Sequence, residues 1–323
     1  MIGHTIVYKT VAGCAIHADI YRPADDGALR PAILWLHGGA LIFGSRRNLP
    51  REQAALYTSN DYVVVAADYR LAPETRLPAI VEDVADAWRW LLEKGTAYYG
   101  IDPTRVAVVG HSAGGYLALL SGHTLTPRPA AIVSFYGYGD IRGEWYSRPD
   151  PHYASQPAVP EDKANAAVGN TPLSESEFMP RFLYYLYGRQ QGLWPRQVSG
   201  RDPDADAGWF TPYCPALNVS PGYPPTLLIH GEEDTDVPVA RSREMAAELA
   251  RHGVPHELLT LPERGHMFDA HEGVGDATVA EVFRRVLGFL GGMASERVRC
   301  TGPADIMLAF PSYPLTTWQR GAF

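Results

Sequence analysis

Arg105-Val106-Ala107-Val108-Val109-Gly110-His111-Ser112-Ala113-Gly114-Gly115-Tyr116-Leu117 decides the fold. A short apolar run breaks at a glycine, passes through a serine between small residues, and re-emerges with helical spacing. A Gly-x-Ser-x-Gly match alone is weak, but between a buried strand and a helix it reads as a nucleophile elbow. In that turn small flanking residues avoid clashes, the hydroxyl stands above a sheet, and the helix N-terminus favours developing negative charge. Ser112 is therefore the expected nucleophile.

Working outward, buried-strand runs recur at 32–36, 62–66, 106–109, 131–135, 226–229 and 256–261, after two strands at 5–11 and 14–21. Helical patterns separate them, at 78–94, 113–123, 239–252 and 278–290. Alternation of this kind predicts an α/β protein, a mostly parallel sheet of eight strands flanked by helices. Functional groups in such sheets gather just after the carboxyl ends of strands.

The residues at those ends fit acyl transfer. His37-Gly38-Gly39-Ala40 follows the strand at 32–36, where glycines let backbone N–H groups approach an oxyanion. Gly38, Gly39 and Ala40, with the N–H of Ala113, form the expected oxyanion hole. Glu232, Glu233, Asp234 and Asp236 follow the strand at 226–229, and spacing alone leaves the acid open among them. His266 follows the last strand, where imidazole is the usual base near neutral pH and a carboxylate fixes its tautomer. His37, His111 and His230 read as hydrogen-bonded structural groups at strand ends.

Together these segments resemble the α/β-hydrolase superfamily, specifically the hormone-sensitive-lipase-like carboxylesterases. The resemblance rests on His37-Gly38-Gly39-Ala40, Asp68-Tyr69-Arg70-Leu71-Ala72-Pro73-Glu74, Gly100-Ile101-Asp102-Pro103, Gly110-His111-Ser112-Ala113-Gly114-Gly115 and Pro224-Pro225-Thr226-Leu227-Leu228-Ile229-His230-Gly231. It implies an α/β-hydrolase fold, an acyl-enzyme mechanism on small to medium esters, and no cofactor. The family's H-G-x-x-D-x-x-V-P pattern selects Asp234 over Asp236. Three departures stand out. Ala40 occupies the usual third glycine, His111 the usual aspartate before the serine, and the segment before the first motif is too short for that family's helical cap. His111 there resembles formamidases and peptidase-like relatives, so amide cleavage is the rival within enzymes. A ligand-binding protein on an inactive hydrolase scaffold is the rival outside them.

Residues 140–222 break the alternation, holding eleven of the chain's 27 prolines and many aromatics. A connection this long in a compact domain is functional or disordered, and the aromatics favour an inserted cap, helical around 175–191. The catalytic core is then 1–139 and 223–295. Trp145, Tyr184, Tyr187, Trp194 and Trp209 are expected to line the substrate pocket. Residues 296–323 lack periodicity and read as a tail packing on the surface or a partner, which leaves a homodimer open.

Composition excludes several classes. The net charge is −8 over 323 residues and no basic stripe appears, so no nucleic-acid partner is expected. No run of eighteen apolar residues spans a membrane, and the first ten residues alternate like a strand rather than a signal peptide. Cys14, Cys214 and Cys300 lack metal-ligand spacing and read as free thiols of a cytoplasmic protein. No histidine pair or phosphate-binding loop suggests a metal or nucleotide. The expected partner is a small-molecule ester.

Overall fold

A computed structural model describes residues 2–24 and 26–295; the tail expected at 296–323 lies outside the described residues, as does Cys300. Eight strands form one sheet in the order β1-β2-β4-β3-β5-β6-β7-β8. They are β1 Ile2–Val11, β2 Cys14–Arg22, β3 Arg30–Leu36, β4 Val63–Ala67, β5 Ile101–His111, β6 Ala131–Phe135, β7 Thr226–Gly231 and β8 His256–Leu261. β2 runs antiparallel to β1 and β4, and every later pairing is parallel. This is the α/β-hydrolase arrangement.

The strands are apolar on both faces because helices cover both. Leu34, Val65, Val108, Ile132 and Leu228 point into one core. There they meet α2 (Leu77–Trp90) and α3 (Ala113–Thr124) through Val84, Trp88, Leu117 and Leu120. Their strand neighbours Ile33, Val64, Val109, Val133 and Leu227 point the other way. Those pack on α1 (Arg51–Ser59) and α6 (Ala277–Ser295) through Tyr57, Phe283 and Val286. The period-2 alternation of each strand thus feeds two cores. α5 (Ala240–Arg251) lies between β7 and β8.

Two expectations shift at their ends. The helix expected over 78–94 is α-helical only to Trp90, and a wider π-type turn over Leu91–Gly95 follows it. β5 begins at Ile101, five residues earlier than its apolar run, because Arg30 on β3 pairs with Ile101.

The long segment between β6 and β7 folds as short helices and one longer helix, α4 (Phe178–Gln191). Two arginines eight positions apart on α4 tie it down. Arg181 binds Glu74 at 2.6 and 2.9 Å and the carbonyl of Ala72. Arg189, with no exposed side-chain surface, binds Asp236 and Asp150 at 2.6 Å each. Just before α4, Gly44 and Ser176 exchange backbone hydrogen bonds of 2.8 and 3.1 Å. The segment therefore docks on the loops at the carboxyl end of the sheet.

Candidate active site

Ser112 sits between β5 and α3 with φ 55° and ψ −118°, a backbone conformation that a side-chain-bearing residue rarely adopts. The turn is so tight that a Cβ on Gly110 would meet the carbonyl oxygen of Gly114 at 2.0 Å. The N–H of Ser112 donates to Phe135 O at 2.9 Å, fixing the elbow to β6.

Three side chains from three strand ends converge. His266 Nε2 lies 3.0 Å from Ser112 Oγ, and His266 Nδ1 lies 2.6 Å from Asp234 Oδ2. A carboxylate only accepts, so Nδ1 carries the proton and Nε2 accepts from the serine hydroxyl. Asp234 is itself held: its Oδ1 accepts from the N–H groups of Asp236 and Val237 at 2.9 and 2.8 Å. Burial would raise its pKa, but His230 and His266 outweigh burial and hold the carboxyl well below its ordinary range. His266 is opposed in the same way. Burial lowers its pKa, yet Asp236, Asp234 and Asp269 bring it above the ordinary imidazole value.

The loop after β3 lies against the elbow, with Gly38 packed on His111 and Ser112. Gly39 has φ +107°, and a Cβ there would strike Phe43 O at 2.0 Å. Among the described residues, none accepts a hydrogen bond from the N–H of Gly39, Ala40 or Ala113, so these donors are open. Tyr69 OH donates to His37 O at 2.7 Å, and its ring stacks on the imidazole. The Asp68–Glu74 motif thus braces this loop. Burial pushes the His37 pKa down to about 4, so the ring is neutral.

His111, beside the serine, stacks on Phe135 with ring centroids 4.4 Å apart, and its Nε2 lies 3.1 Å from Asp269 Oδ2. Asp269 also accepts from Tyr136 at 2.6 Å and Gln53 at 2.7 Å, a buried polar network behind the elbow.

A cavity of about 700 Å³ opens over Ser112. Gly38, Gly39, Ala40, Ser112, Asp236 and His266 line it, and its aromatic wall includes Phe43, Tyr153, Phe178, Phe182 and Tyr185 besides Trp35 and Tyr136. This corrects an expectation: none of Trp145, Tyr184, Tyr187, Trp194 and Trp209 is on the wall. Trp145 stacks on Tyr146, and Tyr146 on Trp194, inside the segment. Trp194 Nε1 donates to Ala40 O at 3.0 Å, supporting the oxyanion loop from behind. Tyr184 is buried and its carbonyl receives Gln197, while Trp209 packs on Phe210 and Tyr213.

Sequence reasoning missed Asp236 as a cavity residue, although it stood among the candidate acids. It lies not on Nδ1 but 3.4 Å from Nε2 of His266. His230, expected to be a structural group, meets Ser242 Oγ through Nδ1 at 2.7 Å, and its Nε2 lies 3.3 Å from Asp234 Oδ2. The thiols of Cys14 and Cys214 are free and buried. Among the described residues, no cluster of His, Cys, Asp or Glu is arranged to hold a metal ion, and no helix is long and apolar enough to cross a membrane.

The BD-FAE family profile matches residues 18–249. An alpha/beta hydrolase superfamily protein from Enterococcus faecalis superposes with a TM-score of 0.68 at 25% identity, covering 90% of this chain and 99% of that one. Esterase LipW from Mycobacterium marinum shares the fold with a TM-score of 0.67 at 23% identity, covering 91% of this chain and 82% of that one. The non-reducing polyketide synthase Preu6 of Preussia isomera is 30% identical over 299 residues, covering 82% of this chain. The chain spans 14% of that synthase's length.

Proposed function

The chain belongs to the BD-FAE family, and from that premise we propose that it is a serine carboxylesterase acting on small to medium acyl esters. The observation that carries the reading is the Ser112–His266–Asp234 relay, 3.0 and 2.6 Å long, beneath open backbone donors. Ser112 Oγ attacks the ester carbonyl while Nε2 of His266 takes its proton. Asp234 holds the imidazole in the tautomer that accepts it and stabilises the imidazolium that results. The N–H groups of Gly39, Ala40 and Ala113 receive the oxyanion. Nε2 returns the proton to the departing alcohol oxygen, leaving an acyl-serine. Water, deprotonated by the same nitrogen, then releases the acid and regenerates Ser112. Residues 140–222 act in this scheme as a cap, supported by the cavity wall that Tyr153, Phe178, Phe182 and Tyr185 supply.

Fluorophosphonate labelling of the wild type and of Ser112→Ala tests the nucleophile. The wild type should label on Ser112 and lose p-nitrophenyl acetate hydrolysis; the variant should neither label nor turn over. Hydrolysis retained above a few per cent in the variant would refute the assignment. A p-nitrophenyl ester assayed beside its matching anilide separates ester from amide cleavage.

A further inference from the structure

The carboxylate of Asp236 has one oxygen committed and one open. Oδ1 accepts from Tyr153 OH at 2.8 Å, from Arg189 at 2.6 Å and from Tyr185 OH. Oδ2 takes none of these donors and lies 3.4 Å from the Nε2 of His266, which lines the cavity with Asp236. That separation is long for a hydrogen bond, and Nε2 is already engaged with Ser112 at 3.0 Å. An ionised oxygen left without a donor in a half-buried site is costly, so a donor from the ligand stabilises it.

The position of Oδ2 says which part of the ligand supplies that donor. Nε2 delivers its proton to the leaving oxygen, so Oδ2, beside Nε2, stands on the leaving-group side. The charge around it says what kind of donor. One guanidinium, Arg189, serves two carboxylates, Asp236 and Asp150, at 2.6 Å each, so the cluster is net negative. Glu177 adds a further carboxylate to the wall, and the cavity's Arg47 is engaged by Glu175 at 3.1 Å. The apolar part of the wall, Phe43, Phe178 and Phe182, carries no charge.

Resting on the carboxylesterase reading above, we propose that Asp236 Oδ2 anchors an ammonium group three or four bonds from the ester oxygen, so that the site selects esters of amino alcohols. The rigid hold on Oδ1 keeps the anchor aimed without a ligand present, and the ion pair forms at a half-buried carboxylate.

Two acetate esters of nearly equal shape test this. One is 2-(dimethylamino)ethyl acetate, protonated at neutral pH; the other is 3-methylbutyl acetate, its uncharged counterpart. At low ionic strength the wild type should show a kcat/KM for the ammonium ester on the order of tenfold higher or more, as a close charge pair at a half-buried site gives. The ratio should shrink as salt rises. Asp236→Asn, which keeps the shape and removes the charge, should bring the ratio near one, whereas Tyr153→Phe should retain the preference. General damage lowers both substrates together and leaves the ratio alone. A wild-type ratio of one or below overturns the inference whether or not the variants fold, as does an unchanged ratio in Asp236→Asn. If the wild-type ratio is one or below while 3-methylbutyl acetate is hydrolysed and Ser112→Ala abolishes its hydrolysis, the esterase reading stands and the anchor falls. If neither ester is cleaved and Ser112 does not label, both fall.

Discussion

Asp234 and Asp236, two positions apart on one loop, face opposite nitrogens of the same imidazole: Asp234 Oδ2 is 2.6 Å from Nδ1 of His266, and Asp236 Oδ2 is 3.4 Å from Nε2. Only the first can fix the tautomer that accepts the serine proton. Asp234→Asn should therefore lower kcat by on the order of a thousandfold or more while leaving the fold intact. Asp236→Asn should cost about tenfold or less on an uncharged ester. Steady-state kinetics on p-nitrophenyl acetate decide it, and the reverse ranking would move the orienting role to Asp236.

The same pair sets a pH dependence. His266 must be neutral to act as base, and the negative charges of Asp236, Asp234 and Asp269 outweigh burial to raise its pKa. A raised pKa keeps the imidazolium to higher pH, so the acid limb of kcat/KM should lie above the ordinary imidazole value of about 6.5. Asp234, held well below the ordinary carboxylate range, stays ionised throughout that limb. Asp236→Asn removes the largest of the raising charges and should shift the limb to lower pH. A pH profile measured on a neutral ester checks both statements; a limb at or below pH 6.5 in the wild type contradicts them.

What was legible in the sequence was whatever is encoded over short distances. The elbow is readable because Gly110 and Gly114 sit where the strand and helix backbones nearly touch, and only small residues fit. β3, β6, β7 and β8 show as apolar runs because both faces of the sheet are covered. The cavity wall was not legible. The choice of Phe178, Phe182 and Tyr185 over Tyr184 and Tyr187 depends on the rotation of α4, which Arg181 and Arg189 set by gripping Glu74 and Asp236. Those partners lie far along the chain from the helix. One signal was available: 178, 182, 185 and 189 share a helical face, and an arginine on an otherwise aromatic face points to a buried carboxylate partner.

Arg189 makes that dependence measurable. Its guanidinium is fully enclosed, bonded to Asp150 and Asp236, with Tyr146 and Tyr153 ring centroids 4.8 and 4.6 Å away. Arg189→Met keeps much of the volume but leaves two half-buried carboxylates without their cation. Breaking such a pair costs roughly 3–5 kcal/mol. Urea titration should show that loss, and an Arg189→Met midpoint equal to the wild type would mean that the ion pairs do not hold the segment to the core.

Phe182 tests the wall itself. It lines the cavity one helical turn from Phe178, whose ring it meets with centroids 4.5 Å apart; Phe43 packs edge-on against Phe178 at 5.0 Å. Phe182→Ala opens apolar space in a wall that touches the substrate, so it should shift preference toward longer acyl or alcohol chains. The expected change in the butyrate-to-acetate kcat/KM ratio is a few-fold to about tenfold, the scale that one or two methylenes contribute in an apolar pocket. Trp209→Ala, which removes a ring packed on Phe210 and Tyr213 away from the cavity, should leave that ratio at the wild-type value. Kinetics on a series of p-nitrophenyl esters from acetate to octanoate separate the two. If Trp209→Ala moves the profile and Phe182→Ala does not, the substrate lies against the other side of the segment and the cavity over Ser112 is not where the chain length is read.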